Sequence, residues 1–403
     1  MFKEAYKENH TPSYVFDLDS LRARVEAVKK GITRKGARLC FVVAANPFLV
    51  EALKDQVDGF MAGSPGEVHI CEAEDIPMEN VVVSGAYKAT LDTARQMGEF
   101  EGRCIFTAES LEQMDVLQYC AKWQDQQVQV LLRLTSGDQF GMDEDALMQC
   151  IDKREDYENL HIIGLQYHSG TQKKGLSQVG EELEMLDGLC QKLREEKGFD
   201  VKVLQYGPGL GVPYFEEDEE EDLDQVLKDL DGLLCAMRFS GAVILEMGRF
   251  LTAFCGSYYT SVVDVKSQGG KNYCIVDGGI HHLVYPGQGH GRKIPHCTHL
   301  PQELDLEAPE KLWDVCGSLC TPSDVLARQL SMQDPKTGDL LIFERTGAYA
   351  VTEGRRLLNS YDMPKIFFFT REKGMDLVRE REGACLLNMR TGKGEKEEDG
   401  AEE

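Results

Sequence analysis

Eight short apolar or β-branched runs, each followed by a segment long enough for a helix, constrain this chain more than any other feature. They are ARLCFVV (37–43), VDGFMAG (57–63), NVVVSG (80–85), RCIFTA (103–108), QVQVLLRL (127–134), HIIGLQYH (161–168), VKVLQYG (201–207) and AVILEMG (242–248). Apolar runs of this length bounded by polar or glycine-rich segments read as buried strands. Between them, ESLEQMDVLQYCAKW repeats apolar residues at three- and four-residue spacing, and SQVGEELEMLDGLCQKLREEKG ends in Lys-Gly, a helix-capping signal. Strands alternating with helices make parallel βαβ units. Eight such units predict a closed (β/α)8 barrel of the α/β class rather than an open doubly wound sheet.

After Arg249 the rhythm changes. YYTSVVDVKS, NYCIVDG, GDLLIFER, PKIFFF and ACLLNM are strand-like, with few long helical windows between them, so a mostly β domain of sandwich or barrel type should follow. The segment SYVFDL (13–18) precedes the first barrel helix and suits a strand in either domain. We assign the barrel to 19–257, the β domain to 1–18 and 258–388, and a disordered acidic tail to 389–403, which includes GKGEKEEDGAEE.

Acidic residues outnumber basic ones by 69 to 44, for a formal charge of −25. Nucleic acid and anionic membranes would be repelled, so neither is expected as a partner. No apolar window approaches a membrane span, and MFKEAYKENH lacks a signal region. Thirteen cysteines without paired spacing fit reduced thiols, and a cytoplasmic location is expected.

Barrels of this kind carry their chemistry in the loops at the carboxyl ends of the strands, with phosphate commonly docking after the last two. The first run ends in Ala44-Ala45-Asn46-Pro47 and the sixth in His168-Ser169-Gly170-Thr171. The seventh ends in Gly207-Pro208-Gly209-Leu210-Gly211 and the eighth in Glu246-Met247-Gly248-Arg249. Glycine-rich turns let backbone N–H groups approach a phosphate, and a nearby arginine adds charge-assisted hydrogen bonds. Alone, GPGLG marks only a tight turn; followed by E-x-G-R at this end of a barrel, it predicts a phosphate site.

The ordered set SYVFDLDSL, ANP, SPGE (64–67), QFGM (139–142), QYHSGTQ, GPGLG, EMGR, VDGG (276–279), CGSLCTPSD and RTGAY covers nearly the whole chain. With these motifs in this order, the chain resembles the fold-type III pyridoxal-phosphate decarboxylases, the diaminopimelate and ornithine decarboxylase family. The resemblance implies pyridoxal 5'-phosphate as cofactor. His168 would stack on its ring, and Glu246 would bond the ring nitrogen. Thr171, Gly209, Arg249 and Tyr349 would hold the phosphate, in the turns that also contain Gly207 and Gly248. Cys320 would reach into the neighbouring subunit's site and deliver a proton, with Thr321 and Asp324 beside it near the substrate. A homodimer with shared active sites follows. Each residue also has a bland reading: His168 a structural histidine, Cys320 a core thiol, Tyr349 a packed aromatic, Glu246 and Arg249 a simple ion pair.

Five of nine histidines (His281, His282, His290, His296 and His299) fall within nineteen residues, with Cys297 among them. Their spacing matches no metal-ligand pattern, so no metal is expected. The resemblance places this segment at the active-site mouth.

The chain departs from the family at Ala44, where the family has the lysine that holds the cofactor as a Schiff base. Alanine cannot do so. Two origins fit: a lysine changed to alanine in an active enzyme, or a natural non-catalytic homologue that binds or regulates. Retention of the other cofactor contacts favours the first. Diaminopimelate decarboxylases also carry Arg-Pro where this chain has Tyr285-Pro286, a glutamate where it has Thr321, and a lysine where it has Gln139. These losses remove a carboxylate clamp and an ammonium partner, and so disfavour meso-diaminopimelate. Cys-Thr-Pro-x-Asp is similar to the branch acting on modified or carrier-bound amino acids. The expected reaction is decarboxylation of an amino acid or its derivative at the α-carbon. EMGR and CTPSD argue against a racemase of the alanine type.

Overall fold

The computed structural model describes residues 10–289, 291–303, 307 and 309–390, so most of the expected acidic tail, and His290, lie outside the described residues. All eight expected runs form strands: β2 (Ala37–Val42), β3 (Gly59–Ala62), β4 (Val81–Val83), β5 (Ile105–Ala108), β6 (Val128–Leu134), β7 (Leu160–His168), β8 (Val203–Gly207) and β9 (Ala242–Met247). They pair in parallel and in sequence order. Pairing of β2 with β9, from Ala37 opposite Val243 to Phe41 opposite Met247, closes the barrel.

The intervening helices form where side chains and caps demand it. The helix Ser177–Lys197 buries Val179, Leu183, Leu186, Cys190 and Leu193, three or four residues apart, which is one helical stripe. It stops at Gly198, whose φ of +58° lets its own N–H reach the Arg194 carbonyl and the following Phe199 N–H reach that of Leu193. Leu111–Trp123 starts at Ser110, whose hydroxyl caps the Gln113 N–H.

A mostly β assembly follows the barrel. Its sheet runs in the order β14 (Val325–Gln333), β13 (Glu310–Cys316), β11 (Lys271–Val276), β10 (Gly256–Gln268), β1 (Ser13–Asp17), β16 (Lys365–Thr370) and β17 (Gly374–Arg379). Off this path, β15 (Leu340–Glu344) pairs with both β10 and β12 (Cys297–Leu300). The N-terminal strand, suited to either domain by sequence, pairs antiparallel with β10 and parallel with β16, and so belongs to this sheet.

One strand expectation is corrected. ACLLNM holds a short helix, Cys385–Asn388, instead of a strand. Leu386 and Leu387 are exposed, so neither face is buried as a strand there would need.

Candidate active site

The carboxyl ends of β7, β8 and β9 lie side by side. Alternate residues of a strand face the same way, so Gln166 shares a face with His168, and Gln205 with Gly207. From these strands the amides of Gln166 and Gln205 both donate to Oε1 of Glu246, each at 2.5 Å. Glu246 is buried, and its Oε2 takes no hydrogen bond among the described residues. The carboxylate is therefore pinned through one oxygen while the other remains for a further donor. Gln166 is itself held by Ser84, which Thr107 contacts in turn, each at 3.4 Å.

His168 ends β7 with a buried Nδ1 that has no hydrogen-bond partner among the described residues. Its ring leans over β8, where a Cβ on Gly207 would stand 2.3 Å from that nitrogen. Only glycine leaves room for the imidazole. The neighbouring turns are as close: Gly209 has a φ of +65°, and a Cβ there would lie 2.2 Å from the Gly170 carbonyl oxygen. The Lys173 N–H donates to the Gly209 carbonyl at 3.0 Å, tying the loop after β7 to the loop after β8.

Arg249 joins these loops to the end of β9. Its Nε donates to the Thr171 hydroxyl at 3.3 Å, one terminal nitrogen donates to the Tyr214 hydroxyl at 3.0 Å, and its guanidinium lies 4.6 Å from the Tyr349 ring centre. Burial pushes the Tyr214 phenol up to about 12, against the pull of the arginine. Beneath, Glu182 accepts from Ser169, and from Lys173 and Tyr206 at 2.6 Å each. Burial raises the Glu182 carboxyl, but these donors outweigh it and hold it below the ordinary carboxylate value. Glu246 and Arg249 form no ion pair with each other among the described residues, which removes the simple ion-pair reading.

Ala44 sits half-buried in the turn Val43–Ala45 that follows β2. That turn is clamped from outside the barrel: the Tyr349 N–H donates to the Ala45 carbonyl at 2.6 Å, and the Asn46 amide donates to the Gly347 carbonyl at 2.9 Å. Tyr349 has a φ of +63°, a strained conformation for a non-glycine residue that the surrounding hydrogen bonds hold in place. On the other side, a Cβ on Gly248 would lie 2.8 Å from the Ala45 methyl, so β9 ends directly against this turn.

Cys320 lies elsewhere. It is exposed, on the loop between β13 and β14, and its thiol takes no hydrogen bond among the described residues. Eight of the thirteen cysteines are buried, so the core-thiol reading does not describe it. Asp324 organises this loop, accepting from the Leu319 N–H at 2.7 Å and the Ile280 N–H at 2.8 Å. Burial pushes its carboxyl up, and those two N–H groups pull it partly back. Thr321 lies on the same loop, its hydroxyl 3.0 Å from that of Ser323.

The described histidines of the run have separate partners: the His281 and His282 rings lie 3.8 Å apart, tilted by 46°, while His299 pairs with Asp339 at 2.9 Å. His282 is committed to the Tyr258 hydroxyl at 3.0 Å and the Asp362 carbonyl at 2.8 Å. Tyr285 is buried, with its hydroxyl donating to the Glu344 carbonyl at 2.5 Å, and Gln139 is exposed.

Sequence reasoning missed Gln166, Gln205, Tyr214 and Glu182. Strand alternation was a usable signal for the glutamines, each two residues before a recognised position. Nothing local marks Tyr214 or Glu182, which meet the site only through tertiary packing.

Residues 18–253 match the family model described as pyridoxal-dependent decarboxylase, pyridoxal binding domain. Diaminopimelate decarboxylase of Aquifex aeolicus is 29% identical over 94% of this chain and 91% of its own length. L-glutamyl-[BtrI acyl-carrier protein] decarboxylase of Niallia circulans is 25% identical, covering 86% of each chain. The crystal structure of AQ1208 from Aquifex aeolicus superposes with a TM-score of 0.84 at 27% identity, covering 96% of this chain and 92% of that one. Pyridoxal phosphate fits the residues present: a carboxylate pinned through one oxygen, an imidazole over Gly207 whose Nδ1 has no partner among the described residues, and a glycine-lined turn beside a buried arginine. With a family match spanning more than half its length, this chain belongs to the pyridoxal-dependent decarboxylases.

Proposed function

We propose that the chain decarboxylates an amino acid or amino-acid derivative at the α-carbon, and that Ala44 leaves this sequence a catalytically impaired lysine-to-alanine form of an active enzyme. When bound, pyridoxal phosphate accepts the electron pair left at the α-carbon as CO2 departs. Glu246, held through Oε1, offers Oε2 to the protonated ring nitrogen and keeps the proton there. His168 covers the ring, and Thr171, Gly209, Arg249 and Tyr349, with Gly207 and Gly248 in the adjoining turns, hold the phosphate. Cys320 of the partner subunit supplies the proton to the α-carbon, with Thr321 and Asp324 lining the approach, so the working unit is a homodimer. We divide the chain into a barrel over 19–257 and a β domain over 1–18 and 258–388. The unpaired thiols suit the cytoplasm.

The observation that carries this reading is the two-amide hold on Glu246 beside the Arg249 cradle. An ion pair or a structural histidine would need neither. Tyr285 and Thr321 in place of the arginine and glutamate argue against meso-diaminopimelate, and the Niallia circulans relative supports a carrier-bound amino acid.

Ala44→Lys is the test. The lysine form should bind pyridoxal phosphate with a visible absorbance band and release CO2 at least about 10³-fold faster than the Ala44 chain, because the lysine both accepts the cofactor and expels product. Ala44 itself favours a second reading, a natural non-catalytic homologue with a binding or regulatory role. A lysine form that takes up cofactor yet releases no CO2 from free or carrier-bound amino acids would establish that second reading.

A further inference from the structure

Ala44 removes the amine from the turn after β2, yet a second amine is built into the same rim. Lys88 lies in the loop between β4 and the helix Thr90–Glu99, at the carboxyl end of the barrel. Lys88 and Lys173 are the two buried lysines among the described residues. Lys173 is taken up by Glu182, at 2.6 Å. Lys88 forms no salt bridge among the described residues; its Nζ donates to the Gly85 carbonyl at 2.6 Å. Glu109, which acts on it electrostatically, is itself bonded to Arg133 at 3.1 Å and to the Gly141 N–H at 3.0 Å. Burial pulls the Lys88 amine down to about 8; Glu109 opposes that shift and Arg133 adds to it. A desolvated lysine of this kind is a better nucleophile than a solvated one, because more of it is neutral.

Two chains of contacts lead from Gly85 to the cofactor site. On one side its neighbour Ser84 contacts Gln166 at 3.4 Å, and Gln166 holds Glu246. On the other, a Cβ on Gly85 would lie 3.0 Å from the Gly63 carbonyl oxygen, so the loops after β3 and β4 cross here. The Gly63 N–H donates to Glu67 at 2.7 Å. Burial raises the Tyr349 phenol and the Glu67 carboxylate adds to that, while the Tyr349 N–H clamps the Ala44 turn. The carbonyl that holds Lys88 is therefore tied to Glu246 on one side and to the position of the missing lysine on the other.

We propose that Lys88 takes over the covalent hold on pyridoxal phosphate in this chain. The proposal rests on the cofactor site described above. The neutral Nζ attacks the cofactor's aldehyde carbon. A C=N bond forms as the C=O bond is lost, the two amine hydrogens leave with the oxygen as water, and nothing is oxidised or reduced. Attachment from the loop after β4 retains the cofactor without restoring an amine at position 44, so covalent loading and impaired turnover coexist.

The test mixes the full chain with an equimolar amount of pyridoxal phosphate and then adds borohydride, which fixes a C=N bond as a stable amine. The loaded chain should show a visible band distinct from that of the free aldehyde, and peptide mass mapping should place one phosphopyridoxyl group on Lys88. Lys88→Arg keeps the positive charge but offers no amine that deprotonates, so it should lose both band and adduct. Pyridoxamine 5'-phosphate, which has no aldehyde, measures the noncovalent site; both forms should bind it equally, which also shows that the variant folds. The mass map of the unaltered chain decides the matter even where the variant fails to fold. Binding of pyridoxamine phosphate with no reducible adduct, or with the adduct spread over exposed lysines, overturns the role of Lys88 alone. Failure of the unaltered chain to bind either compound overturns the cofactor reading, and this proposal with it.

Discussion

The β7–β9 end of the barrel and the Cys320 loop of the β domain are built to different standards of completeness. At the barrel end, Gln166 and Gln205 hold Glu246, Arg249 bonds Thr171, and Gly207 and Gly209 lie against His168 and Gly170, all within a single chain. At the loop, the frame is equally fixed through Asp324, but the thiol it displays is exposed and has no hydrogen-bond partner among the described residues. A rigid frame holding an unengaged reactive group suits a residue that works in another subunit. The contrast teaches that the barrel-end half of the proposed chemistry is framed within one chain, while the proposed role of Cys320 depends on a second subunit.

The largest effect should come from the barrel-end half. In the Ala44→Lys background, Glu246→Gln should lower kcat by about 10³-fold, since an amide cannot keep the ring nitrogen protonated. Steady-state CO2 release measures it, and a loss under tenfold would remove Glu246 from its proposed role. Cys320→Ala should cost less, about 10²-fold in kcat, with cofactor binding unchanged, as befits a positioned proton donor.

Mixing those two variants sharpens the contrast directly. If Cys320 serves the partner subunit, a hybrid dimer of the two contains one intact site, and roughly a quarter of full activity should return. No recovery on subunit exchange would place the thiol and the carboxylate of each site in one chain.

The smallest effect concerns stability. Burial lowers the pKa of His281 to about 4 and that of His282 to about 3, below the ordinary value near 6.5. A base depressed in the folded state binds protons more readily when unfolded. Its contribution is therefore present above about pH 6.5 and is lost as pH falls toward 4. His281 alone should cost about 2 kcal/mol of stability by pH 5. Thermal melts at pH 7 and pH 5 should show a smaller acid-induced drop for His281→Leu than for the parent chain, and an equal drop would contradict the buried neutral state.

Much of this was legible in the chain before any coordinates. All eight barrel strands lie within the apolar runs, or within a residue of them, because a buried parallel strand must be apolar along its length and its ends must break the pattern. The residues at those ends (His168, the glycines after β8, the E-x-G-R of β9) stood out as a set, because a glycine-rich turn followed by an arginine on the next strand is the pattern a phosphate needs at that end of a barrel. ACLLNM misled for the opposite reason: an apolar run reads as a strand whether or not a neighbouring strand exists to pair with it.

What the order of residues settled is therefore the periodic part: strand and helix alternation, the change of rhythm after Arg249, and the motifs seated on the barrel's rim. Folding in three dimensions decided the rest. It assigned the N-terminal strand to the β sheet, paired two glutamine amides with one oxygen of Glu246, and brought Tyr214 to Arg249. The reason is physical: backbone periodicity is a local property written every two to four residues, whereas a side chain's partner is chosen by packing between segments far apart along the chain, and no local pattern encodes it.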